Sequence, residues 1–213
     1  TLIKGKKMHW TMNIDPKIRE LELRQNPIMI RVNKFTEESA ADFAGKMALA
    51  HNTGQSVIPV VIDSYGGQVY SLMSMISSIK NSEIPVATIV EGKAMSCGVI
   101  LFSCGNPGLR FITPEATIMI HDVSSGAFGK NEEIQSSAKE TSRLNKMIYT
   151  ILADNCKKPR DYFTKEVKRR GHADWFVTPK KAVKMGIADV VGLPKLQIDV
   201  NVEINLAISD NDA

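Results

Sequence analysis

The sequence predicts a single-domain α/β fold whose strands are joined by right-handed helical crossovers. Short β-branched apolar runs alternate along the chain with segments in which apolar residues recur every three or four positions. The 213 residues are enough for one domain of generous size and too few for two comfortable ones. No internal repeat or low-complexity linker divides them. We therefore expect one hydrophobic core around a sheet whose crossovers have the usual hand.

The first half of the chain reads as alternating strands and helices. Strands are predicted at 28–32, 57–62 and 86–90, and a helix is predicted at 68–80. The strand at 57–62 is apolar enough to be covered on both faces. Thr36 is placed to cap another helix. Spacings of three and four predict that this helix buries one face, made of Ala40, Phe43, Ala44, Met47 and Ala48.

The second half of the chain begins with a turn and an apolar segment before the alternation of strands and helices resumes. Its predicted elements are a turn of small residues at 92–98, an apolar segment ending at 104, a strand at 117–121, a long helix at 131–155 and shorter helices at 159–170 and 178–185. Gly186 is the expected C-cap of the last helix. The chain accordingly divides into an N-terminal segment of uncertain structure (1–27), one domain (28–192) and a C-terminal tail (193–213).

Composition excludes several classes of protein. Hydrophobic residues make up 43% and charged residues 23% of the chain, as in an ordinary globular domain. Its apolar runs fall well short of a membrane span, and no apolar segment follows the basic first residues, as a secretion signal requires. Three cysteines without CxxC spacing argue against a disulfide framework or a zinc site. They favour a reducing compartment, and we expect a cytoplasmic protein.

The net charge of +4 is unevenly distributed. Residues 157–184 contain ten Lys or Arg and three acidic residues. A basic excess of this kind is one feature of surfaces that bind nucleic acids. No aromatic interleaving or known binding motif accompanies this run, and its lysines fall at helical spacing between apolar residues. We interpret it as a solvated helix face and expect no nucleic-acid partner.

Features at the ends of predicted strands carry residues suited to chemistry. The pair Gly66-Gly67 follows a buried strand, and paired glycines let a ligand approach backbone N–H groups closely. Ser96 stands where a strand gives way to a helix, so its hydroxyl would lie at a helix N-terminus. Each has a plainer interpretation, a tight turn for the glycines and an N-cap for Ser96. Ala94 replaces the first glycine of GxSxG, so the motif of the α/β-hydrolases is not matched.

His121 is the third such feature. It ends a strongly apolar predicted strand, where catalytic residues of parallel α/β folds usually lie. A hydrogen-bonded structural histidine is the plainer interpretation. His9, His51 and His172 stand in an irregular segment, at a helix end and in a basic turn, so His121 is the histidine best placed for catalysis.

Taken together, the glycine pair, Ser96 and His121 lie in segments that resemble the motifs of one protein family. The segments 63–67, 92–98 and 118–121, in this order, resemble the signature blocks of the Clp protease proteolytic subunit (ClpP) family. Their spacing fits as well, and the segment 174–189 resembles the closing block of the family. The resemblance extends over roughly 28–191. It implies a ClpP/crotonase-like superhelix of repeated β-β-α units in a single domain.

The resemblance implies the site of a serine endopeptidase. Ser96 would be the nucleophile, His121 the general base, and Asp174 the acid that holds the imidazole in the useful tautomer. The chain order Ser, His, Asp excludes chymotrypsin, subtilisin and the α/β-hydrolases. Asp122 and Asp161 stay open as alternatives to Asp174.

Other residues acquire roles from the same resemblance. The backbone N–H groups of Gly67 and Cys97 match the oxyanion hole of the family. Val123, Ser124 and Ser125 would pair with an extended substrate by β-augmentation. No cofactor or metal is implied.

The resemblance also implies self-assembly. The family forms heptameric rings stacked as a tetradecamer around a chamber, and the helix at 131–155 would join two rings. Polypeptides would be the substrates, with an AAA+ unfoldase as a candidate partner and no membrane partner. Tyr65 and Cys97 stand where the family usually has proline and methionine. The N-terminal region does not resemble the axial loops that engage the unfoldase, and the stretch between His121 and Asp174 is a few residues longer than usual.

Other functions stay open on the sequence alone. A Ser–Lys enzyme resembling signal-peptide peptidases would use Lys93 as its base. An enoyl-CoA hydratase relative would use glutamates and would be longer. A catalytically inactive scaffold subunit of a mixed ring would typically lack a triad residue, whereas candidates for all of them are present here.

Overall fold

The computed structural model describes residues 27–195, so the N-terminal segment up to residue 26 and the tail beyond residue 195 lie outside the described residues. The helices of this part are α1 (Glu37–Ala50), α2 (Val69–Lys80), α3 (Cys97–Ser103), α4 (Asn131–Asn155), α5 (Tyr162–Arg169) and α6 (Pro179–Met185). Its strands are β1 (Ile30–Val32), β2 (Ile58–Ser64), β3 (Val86–Met95), β4 (Arg110–Ile112), β5 (Thr117–Ile120), β6 (Trp175–Val177) and β7 (Val190–Val191).

A mostly parallel sheet organises the domain. Strands β1, β2, β3, β4 and β7 pair in that order, all in parallel. The long strand β3 pairs with β4 through Thr88–Val90 and with β5 through Lys93–Met95. Strand β6 is added to β5 in the antiparallel direction. This architecture confirms the predicted single-domain α/β fold.

Helix α1 illustrates how local sequence sets an element. Thr36 Oγ1 accepts a hydrogen bond from the Ser39 N–H, and Ser39 Oγ accepts one from the Thr36 N–H, which forms a reciprocal cap. The predicted buried face is confirmed in part, because Ala48 is exposed and Ala44 only half-buried. Positions spaced three, four and three apart form the face that is observed, which is made of Ala40, Phe43, Met47 and Ala50.

The turn predicted at 92–98 is wrong in its extent. Pairing with β5 keeps β3 extended as far as Met95, so Gly92 lies inside that strand. Ser96 is the single residue between the end of β3 and the start of α3. Helix α3 is buried along its whole length. Strands β4, β6 and β7 were not predicted, because two or three residues leave no detectable alternation.

The basic stretch forms ion pairs within the fold. Glu166 accepts from both Arg169 and Arg170 on one side of α5, and Lys165 contacts Asp161. The guanidinium of Arg170 also lies 4.0 Å from the centre of the Trp175 ring. These contacts agree with a solvated helix face. Within residues 27–195, no helix combines the length and the apolar character that crossing a membrane requires.

Candidate active site

Ser96 forms a strained turn between β3 and α3. Its backbone has φ 56° and ψ −120°, a conformation that a residue with a Cβ rarely adopts. Its N–H donates to the Met119 carbonyl at 2.9 Å, and its carbonyl accepts from the Val99 N–H at 3.2 Å, so neighbouring elements fix the turn. The Ser96 side chain makes no capping hydrogen bond to α3, which argues against the N-cap interpretation. A strained strand–turn–helix of this kind presents a nucleophilic hydroxyl even though the GxSxG motif is absent.

The glycine pair packs directly against this turn. A Cβ added at Gly66 would lie 2.7 Å from the Cβ of Ser96 and 3.1 Å from its Oγ. A Cβ at Gly67 would lie 2.6 Å from the Phe35 carbonyl oxygen. Since φ is 109° at Gly66 and 150° at Gly67, both positions require glycine. Gly66 therefore brings bare backbone next to the serine, which a plain tight turn does not explain.

His121 and Asp174 are brought together by the pairing of β5 with β6. In that antiparallel ladder Ile120 lies opposite Trp175, so one step further His121 lies opposite Asp174. His121 Nδ1 is 3.9 Å from Asp174 Oδ1, within ion-pair range but longer than a hydrogen bond. Within the described part of the chain, the buried Nε2 of His121 has no hydrogen-bond partner. An unpartnered buried nitrogen is costly and is therefore a candidate for a functional role.

Ser96 lies at the same edge of the sheet. Strands β3 and β5 run in parallel with Met95 opposite Met119, so Ser96 and His121 both follow the carboxyl ends of adjacent strands. Asp174 precedes the antiparallel β6, whose start lies at that edge too. These pairings bring the residues Ser96, His121 and Asp174 to one edge of the sheet.

The two alternative acids are engaged elsewhere. Asp122 accepts hydrogen bonds from Asn145 Nδ2 at 2.7 Å and from the Tyr149 hydroxyl at 2.9 Å, and it contacts His172. Burial raises the pKa of Asp122, but the hydrogen bonds outweigh it and leave that pKa below its ordinary value. Asp161 pairs with Lys165 at 2.6 Å. Among the described residues, Asp174 is the carboxylate within ion-pair distance of His121.

Lys93 is unsuited to act as a base. Its Nζ donates to Asp63 Oδ1 at 2.7 Å and lies 4.4 Å from the centre of the exposed Tyr65 ring. The hydrogen bond to Asp63 raises the pKa of Lys93 above its usual value. A lysine base must instead lose its proton near neutral pH, which requires a lowered pKa. This geometry argues against the Ser–Lys alternative and gives Tyr65 a role in covering the ion pair.

The segment after His121 is tied to helix α4. The Val123 N–H donates to Asn145 Oδ1 at 3.0 Å, and Ser125 Oγ lies 2.7 Å from Thr141 Oγ1. Ser124 and Ser125 are exposed, and the segment is neither helix nor strand. A peptide added along it would find the Val123 N–H already bonded, a detail that sequence patterns do not reveal.

The fold and this cluster define an α/β protein with a serine, a histidine and a carboxylate at one edge of a mostly parallel sheet. The sequence model of a family described as Clp protease matches residues 17–195, and the chain belongs to that family. It is 31% identical over 134 residues to an ATP-dependent Clp protease proteolytic subunit of Deinococcus radiodurans. That alignment covers 63% of this chain and 64% of the relative, so the chain matches less than two thirds of the length of the relative.

Proposed function

We propose that the chain is a serine endopeptidase in which Ser96 attacks the peptide carbonyl and His121 moves the proton. The observation that carries this proposal is the strained turn at Ser96, one strand away from a buried imidazole nitrogen without a partner. His121 Nε2 would accept the proton of Ser96 Oγ during attack and return it to the leaving amine. Water would then hydrolyse the acyl-enzyme by the same proton route.

Asp174 would orient the ring and stabilise the imidazolium. At 3.9 Å its carboxylate is close enough for an ion pair, and a small shift would form the hydrogen bond. Catalytic hydrogen bonds are often long before substrate binds and tighten in the complex. Such a shift is accessible because the Asp174 side chain is 55% exposed.

Backbone N–H groups of Gly67 and Cys97 would bind the oxyanion. The Gly66 N–H is already bonded to Ser64 Oγ at 3.0 Å, which leaves Gly67 as the donor from this loop. Cys97 is the first residue of α3, where N–H groups have no acceptor within the helix. Donors fixed before the reaction are effective because they need no reorganisation when charge develops. Substrate would run beside Val123, Ser124 and Ser125.

We further propose that the chain forms a heptamer or a tetradecamer in the cytoplasm and receives unfolded polypeptides from an AAA+ unfoldase. The name of the relative, which calls it ATP-dependent, supports such a partner. Residues 131–139 of α4 are all exposed, and Phe128 just before them is fully exposed. Uncovered apolar side chains beside an uncovered helix are typical of a surface that another subunit covers.

Labelling with a fluorophosphonate, followed by peptide mapping, tests the chemistry. We expect the label on Ser96, and we expect Ser96→Ala and His121→Ala to lower peptide turnover by about 10⁶-fold, because triad members act as a unit. Asp174→Asn should lose about 10⁴-fold. Lys93→Ala is the matched control and should cleave peptides well.

Two outcomes would contradict this proposal. Activity that survives His121→Ala and disappears in Lys93→Ala would establish a Ser–Lys enzyme. Wild-type assemblies that neither take the label nor cleave peptides would support the scaffold alternative instead.

A further inference from the structure

A second histidine–aspartate pair lies beside the first. His172 Nδ1 is 2.5 Å from Asp122 Oδ2, so the nitrogen donates to the carboxylate. Asp122 follows His121 in the chain, and His172 lies two residues before Asp174. The pair therefore joins the segment that carries the candidate base to the segment that carries the candidate acid.

One side of this pair is firmly anchored. Asp122 Oδ1 accepts hydrogen bonds from Asn145 and from Tyr149. Both residues belong to helix α4, and the Tyr149 side chain is fully buried. The amide of Asn145 also accepts from the Val123 N–H. Asp122 is thus fixed from the helix side, and its second oxygen is left to hold His172.

The other side is a tight turn in an unfavourable conformation. Gly171 has φ 67° and His172 has φ 60°, two consecutive left-handed residues between α5 and β6. Such a conformation is unfavourable for a residue with a Cβ. The His172 N–H bonds back to the Val167 carbonyl at 3.1 Å. The turn aims the His172 ring at Asp122 and leads directly into Asp174.

We propose that Asp122 and His172 are positioning residues that hold the Asp174 segment against His121. Asp174 itself is more than half exposed, and no hydrogen bond joins its side chain to His121 in the described structure. Its backbone position therefore depends on the three-residue strand β6 on one side and on the His172 contact on the other. The inference rests on the proposed function, since it concerns the alignment of the triad.

Two substitutions separate the hydrogen bond from the backbone conformation. His172→Asn keeps a nitrogen donor at the place of Nδ1, and asparagine tolerates positive φ. His172→Gly also accepts positive φ but removes the donor. His51→Ala at the end of α1 is the control, because it removes a histidine that bonds to Met47 and Ser82 away from this site.

The three variants and the wild type are compared by peptide kinetics, by the rate of fluorophosphonate labelling and by hydrogen exchange of residues 171–177. We expect His172→Gly to lower kcat and the labelling rate by about 10- to 100-fold with KM little changed, since small misplacement of a catalytic group costs this much. Exchange in 171–177 should become faster. His172→Asn should restore most of both properties, and His51→Ala should resemble the wild type.

The outcomes distinguish this inference from the proposed function. A His172→Gly protein that labels at the wild-type rate, with unchanged exchange, would overturn the positioning role and leave the peptidase intact. If His172→Gly lowered kcat and His172→Asn did not restore it, the positioning role would also be overturned. Wild-type protein that never labels would contradict the proposed function, and with it any catalytic effect of this pair.

Discussion

The backbone of Ser96 adopts a conformation that glycine would adopt with less strain. Strain of this kind is retained where surrounding structure enforces it, and here hydrogen bonds to Met119 and Val99 hold the turn. Gly66 leaves room for the turn by packing on the serine without a side chain. The serine hydroxyl therefore lies where it does because three separate segments fix its backbone.

This strain predicts an order of stability between two variants that lack the serine hydroxyl. Ser96→Gly relieves the positive φ, whereas Ser96→Ala keeps it, and neither retains the hydroxyl. We expect the glycine variant to have the higher free energy of unfolding, by about 1 kcal/mol. Urea denaturation monitored by circular dichroism measures the difference. If the alanine variant proved equally stable, the turn would not be strained in solution.

The sequence predicted some site residues better than others, for a physical reason. Ser96 follows the strand β3 and His121 follows the short apolar strand β5, and apolar runs in the sequence predicted both strands, so both residues could be placed near strand ends. The position of Asp174 depends on how β6 pairs with β5. Strand β6 has only three residues, and no local sequence pattern predicts its register. Only the family resemblance pointed to Asp174. The Asp122–His172 contact spans 50 positions and had no sequence signal.

At the scale of elements, Arg110 links parts of the chain that are far apart in sequence. This buried residue of β4 donates through Nε and Nη2 to Asp189, just before β7. Its Nη1 donates to the carbonyl of Gly186 at the end of α6 and to that of Asn155 at the end of α4. One guanidinium thus joins two strands and two helix ends.

Removal of this guanidinium should be costly. Arg110→Ala leaves the half-buried Asp189 without its charged partner, and breaking a fully buried pair, which sets the upper bound here, costs about 3–5 kcal/mol. Arg31→Ala breaks an exposed pair with Glu91 and should cost about 0–1 kcal/mol. Thermal and urea denaturation of the two variants compare these values. Equal losses would mean that the buried pair contributes no more than a surface contact.

The same pair should make stability depend on pH. Burial raises the pKa of Asp189, but the hydrogen bonds from Arg110 lower it more, so the folded-state pKa lies below its ordinary value. Stability from such a group is fully present above about pH 4 and is lost as the pH falls through the folded-state pKa. We expect Asp189→Asn to lose stability at neutral pH and to show a shallower decline in acid. Asp42→Asn, which breaks an exposed pair, should follow the wild-type curve.

At the scale of the whole molecule, the expected assembly depends on two kinds of surface. The exposed first half of α4 is mostly polar, with Glu132, Glu133 and Lys139 available for contacts between rings. Exposed charged contacts are individually worth about 0–1 kcal/mol. Contacts within a ring would instead use apolar surface, which makes larger and firmer interfaces.

We therefore expect a heptamer or a tetradecamer by native mass spectrometry. Raising the ionic strength should convert tetradecamers to heptamers, because screening weakens exposed charge pairs first. Short peptides should be cleaved without ATP, and folded proteins should be spared unless an unfoldase is supplied. A monodisperse monomer with full peptidase activity would contradict the assembly and leave the chemistry unaffected.

The short pairing of β5 with β6 determines where this chain can change in length. Asp174 is set opposite His121 by the register Ile120 with Trp175, not by the number of residues between the two. Extra residues in the exposed connection around Lys157 would leave that register unchanged, so a longer stretch between His121 and Asp174 is compatible with the same pairing. A single residue inserted between Asp174 and Trp175 would instead carry the carboxylate away from the imidazole, because side chains alternate along an extended chain. Changes in length are thus expected to be tolerated in the exposed connection between α4 and α5 and to be disruptive between Asp174 and β6.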